Sequence, residues 1–167
     1  MRIKRAFLTI SFCAVTMFMS AQIWYVSPSG NNGGGQSWAT AFNSIQQAIN
    51  HAGTNDQIWV AAGTYREYIR VDAPHLQGLE IYGGFAGWEN QIYQRDWRNN
   101  LTIIDGNTLG GMSPDRCVEI GVDYCRLDGF MIRNGQDPLM LIPSPGLCGG
   151  ILVDANYSGR PKIVGTV

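Results

Sequence analysis

Lysine is almost missing from this chain: after Lys4 the only one is Lys162, and the arginines that accompany it are scattered among 13 acidic residues. A nucleic-acid backbone is held by clustered Lys and Arg, so no nucleic-acid partner is expected. Long apolar runs are missing as well. The greasiest stretch, Ala6 to Met19, covers 14 residues, whereas a helix spanning a bilayer needs roughly 20, which argues against a permanent transmembrane anchor. There is no C-x2-C pair and only His51 and His75 to supplement cysteine, so no zinc or other metal site is expected. The chain also has no nucleophile elbow and no H-E-x-x-H helix, and Gly33-Gly34-Gly35 lacks the lysine of a phosphate-binding loop.

What is present begins with a leader. Arg2, Lys4 and Arg5 precede the apolar run, and the small residues Ser20 and Ala21 follow it. Basic start, apolar core and small-residue exit are the marks of a secretory signal peptide, with cleavage expected after Ala21. Bulky Phe12 before Cys13 does not suit lipidation at that cysteine. Removal of residues 1–21 takes three bases and no acids, and makes the remainder distinctly acidic. Cys117, Cys125 and Cys148 remain. An odd number cannot all pair within one chain, and buried, unpaired thiols are the simplest expectation.

Beyond the leader, Ile23-Trp24-Tyr25-Val26 reads as a strand and Ser27 to Gln36 as a polar, Gly-rich loop. Phe42, Ile45, Ala48, Ile49 and Ala52 fall three or four apart, which predicts an amphipathic helix over Ala41 to Ala52 with Thr40 as its N-cap and Gly53 as its stop. Short β-prone runs then alternate with Gly, Asn, Asp and Pro. Ile58, Ile81, Ile104 and Leu127 are spaced 23 residues apart, Gly83, Gly106 and Gly129 keep the same phase, and Ile151-Leu152-Val153 arrives one residue late. Such a period predicts an all-β solenoid, each coil stacking its strands on the last, with the helix covering the first coil. The organisation expected is residues 22–56 as strand, loop and capping helix, and 57–167 as about five coils. Pro161 to Val167 reads as a strand entering another coil, so the chain is expected to be the N-terminal part of a longer or split protein and to associate through an uncapped last coil.

Several motifs carry a resemblance. Trp24-Tyr25-Val26-Ser27-Pro28-Ser29-Gly30, Asp56-Gln57-Ile58-Trp59-Val60-Ala61-Ala62-Gly63-Thr64-Tyr65, Ile81-Tyr82-Gly83-Gly84-Phe85, Ile104-Asp105-Gly106 and Leu127-Asp128-Gly129-Phe130 resemble, in order, the bacterial secreted proteins of the pectate-lyase-like superfamily. The resemblance covers nearly the whole chain after the leader. It implies a right-handed parallel β-helix with an N-terminal capping α-helix, secreted or on the outer surface of a bacterium. The family includes polysaccharide lyases, hydrolases, epimerases and adhesins, so one scaffold implies little about activity.

No cofactor is expected otherwise, but a lyase of this kind would need acids gathered on one face, often holding calcium, and an arginine or lysine to take a proton. Asp105, Asp128 and Arg133 are the candidates, because the repeat would stack the two aspartates on neighbouring coils; Asp-Gly corners offer a purely structural role for the same residues. The polar stretch from Ala86 to Asn100 reads as a loop carrying Trp88, Tyr93 and Trp97. Exposed rings there would pack on the C–H faces of sugars, and rings folded back would instead cover the coils. The sequence thus favours a non-catalytic, glycan-associated or adhesive surface protein whose partner is a polysaccharide or cell-surface glycan. The alternative is the opening portion of a polysaccharide lyase or glycoside hydrolase.

Overall fold

The computed structural model describes residues 21–107, 117–135, 151–153 and 162–164. The leader, Cys148 and the segments between these ranges lie outside the described residues. Among the described residues, eleven strands and one α-helix follow in the order β1 (Ile23–Val26), α1 (Ile45–His51), β2 (Gln57–Ala61), β3 (Gly63–Tyr65), β4 (Ile69–Val71), β5 (Glu80–Phe85), β6 (Thr102–Asp105), β7 (Val118–Ile120), β8 (Arg126–Asp128), β9 (Phe130–Arg133), β10 (Ile151–Val153) and β11 (Lys162–Val164). They form three sheets, ordered β1-β2-β5-β8-β11, β3-β6-β9 and β4-β7-β10. Every pairing between these strands is parallel. From β2 onward the chain visits the three sheets in strict rotation, so each strand pairs with the one three places later.

Register lines up apolar columns that face inward. Ile58, Ile81 and Leu127 are in register and fully buried, as are Tyr65 with Ile104 and Ile69 with Val118. Each such side chain contributes roughly 1.5–3 kcal/mol by leaving water. Ile163, next in the first column, is 40 % exposed. α1 lies against β1, β2 and β4 and adds Ile45, Ala48 and Ile49 to the same core.

The 23-residue spacing is only partly structural. Ile58 and Ile81 do stack, but Leu127 stacks on Ile81, and Ile104 lies in another sheet between Tyr65 and Ile132. Ile151-Leu152-Val153 belongs to the third sheet, beside β7. The turns of chain differ in length because loops of different size are inserted at their corners, so a fixed spacing cannot hold.

The helix also starts later than its periodicity suggests. Trp38–Thr40 forms a single 3-10 turn, and Phe42 is extended, its N–H donating to the Tyr25 carbonyl (2.9 Å) and its own carbonyl accepting from the Ser27 N–H (2.9 Å). Those bonds hold Phe42 at the edge of β1, and Ser44, not Thr40, caps the helix by accepting from the Gln47 N–H. Ala52, rather than Gly53, closes it. Glu67 strengthens the start: its carboxylate accepts from the Ser44 hydroxyl (2.6 Å), the Ile45 N–H (2.7 Å) and the Gln46 N–H (3.2 Å). Glu67→Ala is therefore expected to cost about 1–2 kcal/mol in urea unfolding, the range of a lost helix cap, and Glu67→Gln about half as much.

Cys117 and Cys125 are buried free thiols. Burial pushes the Cys125 thiol up to about 12, which leaves it inert at neutral pH.

Candidate functional site

The segment from Ala86 to Leu101, between β5 and β6, carries most of the candidate binding residues, and it is tied down at several points. Glu89 is only 1 % exposed. Its carboxylate accepts from the Ala86 (2.6 Å), Gly87 (2.9 Å) and Trp88 (3.0 Å) N–H groups, a ring of donors that stabilises a buried negative charge. Its backbone carbonyl accepts from the Trp38 indole N–H at 2.8 Å. Further along, the Gln94 side chain accepts from the Asn90 (3.0 Å) and Gln91 (2.9 Å) N–H groups around a 3-10 turn, Ile92–Gln94. With the backbone so held, Trp88 is 68 % and Tyr93 80 % exposed. These two rings face solvent on a fixed segment.

Beneath the loop runs the outer face of the first sheet. Tyr25, Trp59, Tyr82 and Asp128 are aligned in register across β1, β2, β5 and β8. An extra residue in β5 breaks the alternation between Tyr82 and Phe85, and Phe85 joins Trp59 on this face with ring centroids 4.7 Å apart. Asp128, 2 % exposed, is clamped by two arginines: Arg95 reaches one oxygen at 2.9 Å, and Arg126 reaches the other at 2.5 Å. Both guanidinium groups also lie over the Tyr82 ring, at 5.0 and 5.2 Å. Burial, reinforced by nearby Glu80, pushes the Tyr82 hydroxyl up to about 12. A carboxylate whose two oxygens are both held by guanidinium groups is suited to anchoring the loop through Arg95, not to moving protons.

Asp105 and Arg133 meet elsewhere. They are register partners across β6 and β9, with Arg133 Nη2 2.8 Å and Nε 2.9 Å from Asp105 Oδ2, while Asn134 donates to Oδ1 at 2.7 Å and the Asn107 N–H at 3.0 Å. The expected stack of Asp105 on Asp128 is not formed: the first lies in the β3-β6-β9 sheet and the second in the β1-β2-β5-β8-β11 sheet. Arg133 joins Asp105 alone, so the three candidates do not converge on one groove. Among the described residues no three His, Cys, Asp or Glu side chains gather as a metal site.

Burial alone would raise the Asp105 carboxyl, but the bonds from Asn134, Asn107 and Arg133 outweigh it and hold the group below its ordinary value. A lowered folded value means that the stability it contributes is present above the unfolded-chain value of about 3.9 and is lost as pH falls through the folded one. Asp105→Asn is therefore expected to lower the unfolding free energy at neutral pH, and the gap from the unmutated chain is expected to close as acid is added. Urea titrations from neutral pH to about pH 2 check this.

The third aromatic candidate, Trp97, is only half-buried and lines a cleft of 220 Å³ together with Arg98, Leu101, Thr102, Phe130 and Met131. The Arg98 guanidinium lies 4.2 Å from the centre of the Trp97 ring. This cleft offers an apolar floor with one cation at its rim, enough to seat a single ring bearing polar groups. Trp88 and Tyr93 do not line it. Glu89 and Arg95, which position the loop, and Leu101 and Met131, which complete the cleft, carry no sequence motif. Comparison with known proteins returns no matching family model, no matching curated protein and no matching solved structure.

Proposed function

We propose that this chain forms an exported, right-handed parallel β-helix of the pectate-lyase-like kind, acting at the outer surface of a bacterium as a non-catalytic, glycan-associated or adhesive protein. The rotation of successive strands among three parallel sheets supports the β-helix, and right-handed crossovers are the rule where parallel strands in one sheet are joined. The leader motif in residues 1–21 supports export. The exposed apolar Ile163 supports association of another strand beside β11.

The observation that carries the binding function is the pair of solvent-facing rings, Trp88 and Tyr93, on a backbone fixed by Glu89 and Gln94. Pre-positioned rings lose little entropy when a sugar face packs on them, which favours affinity over flexible display. Separation of the acids supports the non-catalytic reading. Affinity electrophoresis through a panel of bacterial and plant polysaccharides tests both. The unmutated chain is expected to be retarded by at least one glycan. In Trp88→Ala/Tyr93→Ala that retardation should fall about tenfold or more, with the thermal midpoint unchanged because neither ring is buried. Equal retardation of the two proteins would remove the rings from the function. Release of unsaturated sugar from acidic polysaccharides with calcium, abolished by Arg133→Ala, would overturn the non-catalytic reading.

A further inference from the structure

The backbone N–H of Gln22 donates to Asp56 Oδ1 at 2.8 Å. Asp56 is 8 % exposed, and its other oxygen accepts from the Trp24 indole N–H (2.9 Å) and the Gly53 N–H (2.7 Å). The Gln22 carbonyl accepts from the Gln57 N–H at 2.8 Å, so Gln22, although its side chain is exposed, already continues the pairing of β1 with β2. The expected cleavage point thus lies directly before Gln22, whose backbone N–H and carbonyl are both bonded within the first layer of the fold.

We propose that Asp56 is the receptor for the α-amino group that leader removal creates at Gln22, so that processing converts a hydrogen bond from an uncharged amide to the Asp56 carboxylate, at the first layer of the fold, into an ion pair. The inference rests on the reading of residues 1–21 as a cleaved leader and goes beyond it. Hydrolysis adds water across the Ala21–Gln22 bond. The oxygen stays with Ala21 as a carboxylate, and the Gln22 nitrogen keeps the bonding electron pair and takes up protons as an ammonium. The bond to Asp56 then carries opposite charges on donor and acceptor, which adds Coulomb attraction to a bond that the carboxylate already strengthens. An amine held as ammonium is also a poor nucleophile. Gln22 therefore resists the cyclisation open to an N-terminal glutamine, in which the free amine attacks the side-chain amide carbon and ammonia leaves. The Gln22 side-chain amide is itself tethered to the Ile23 carbonyl at 2.9 Å.

The full chain, exported from a bacterial host with its own leader, supplies the material. Mass spectrometry of the N-terminal peptide is expected to show a start at Gln22 with its ammonia retained. A different start or a retained leader would remove the leader reading on which the proposal rests, and complete ammonia loss would overturn the docking itself. Acylation by a limiting active ester at neutral pH then measures the amine, with Lys162, the only lysine after the leader, as internal reference. In the folded protein the α-amine is expected to react about tenfold more slowly, relative to Lys162, than in urea, because the carboxylate beside it holds it as unreactive ammonium. Asp56→Asn should restore the fast reaction. If that variant does not fold, the folded-against-unfolded comparison on the unmutated chain decides alone: equal relative rates overturn the docking while leaving the leader reading intact.

Discussion

Asp128→Ala is expected to lower the unfolding free energy by about 3 kcal/mol, the lower end of the cost of breaking a buried ion pair from one side. The carboxylate is almost wholly buried and holds two guanidinium groups whose side chains are 15 % and 29 % exposed, so its removal strands two charges that water can only partly reach. Partial access to water keeps the cost from rising further. Arg95 is also the link by which the Ala86–Leu101 segment is tied to β8, so the variant is expected to lose loop order together with stability. Urea unfolding followed by tryptophan fluorescence reads the first effect, and faster amide exchange at Ala86 to Trp88 reads the second. Adding Arg95→Met to Asp128→Ala should recover part of the loss, because one of the stranded charges is gone. A cost under about 1 kcal/mol for Asp128→Ala would mean that the arginines find other partners and that the clamp does not hold the loop.

Little of that clamp is legible in the sequence, and the reason is geometric. Asp128 looks like a turn residue before Gly129, and Arg95 like one more scattered base; they meet only because a loop of more than a dozen residues returns across the outer face of the first sheet. The same loop disrupts the repeat. Ile58 and Ile81 are one short turn of chain apart and stack as their spacing implies, whereas the next turn carries the Ala86–Leu101 insertion, so Ile104 falls in a different sheet and Leu127 takes its place. Trp59 and Tyr82 share a phase before that insertion and are register partners. Asp105 and Asp128 share one after it and are not. Local chemistry is read more safely than phase: the polar segment from Ala86 to Asn100 is indeed a connection between strands, and two of its three aromatic rings face solvent. The helix shows the same limit. Its apolar face was visible, but its first turn was lost to Phe42, whose backbone is engaged by Tyr25 and Ser27, a contact that no helical periodicity contains.

Gly84→Ala is expected to cost about 3–4 kcal/mol and to open the cleft beside Trp97, since the substitution adds backbone strain to a steric clash. Gly84 sits at φ +92, in the stretch of β5 where the extra residue turns Phe85 outward, and only glycine adopts that conformation without strain. A Cβ there would lie 2.5 Å from Trp97 Cα and 2.7 Å from Trp97 Cβ. The first of these is backbone and cannot swing aside. The segment is tied to this strand by the Asp96 N–H, which donates to the Gly84 carbonyl at 2.8 Å, so displacement of Trp97 strains that bond as well. Gly87→Ala is the matched control. Its φ of +100 imposes similar strain, but the nearest atom to its Cβ is 3.9 Å away, so it should cost only about 1 kcal/mol. The difference between the two variants in urea unfolding isolates the clash with Trp97. Polysaccharide retardation then separates the two candidate surfaces. If glycan binding needs the cleft, Gly84→Ala loses it while Gly87→Ala keeps it; if binding needs only the exposed rings, Gly87→Ala, next to Trp88, is the more damaging of the two.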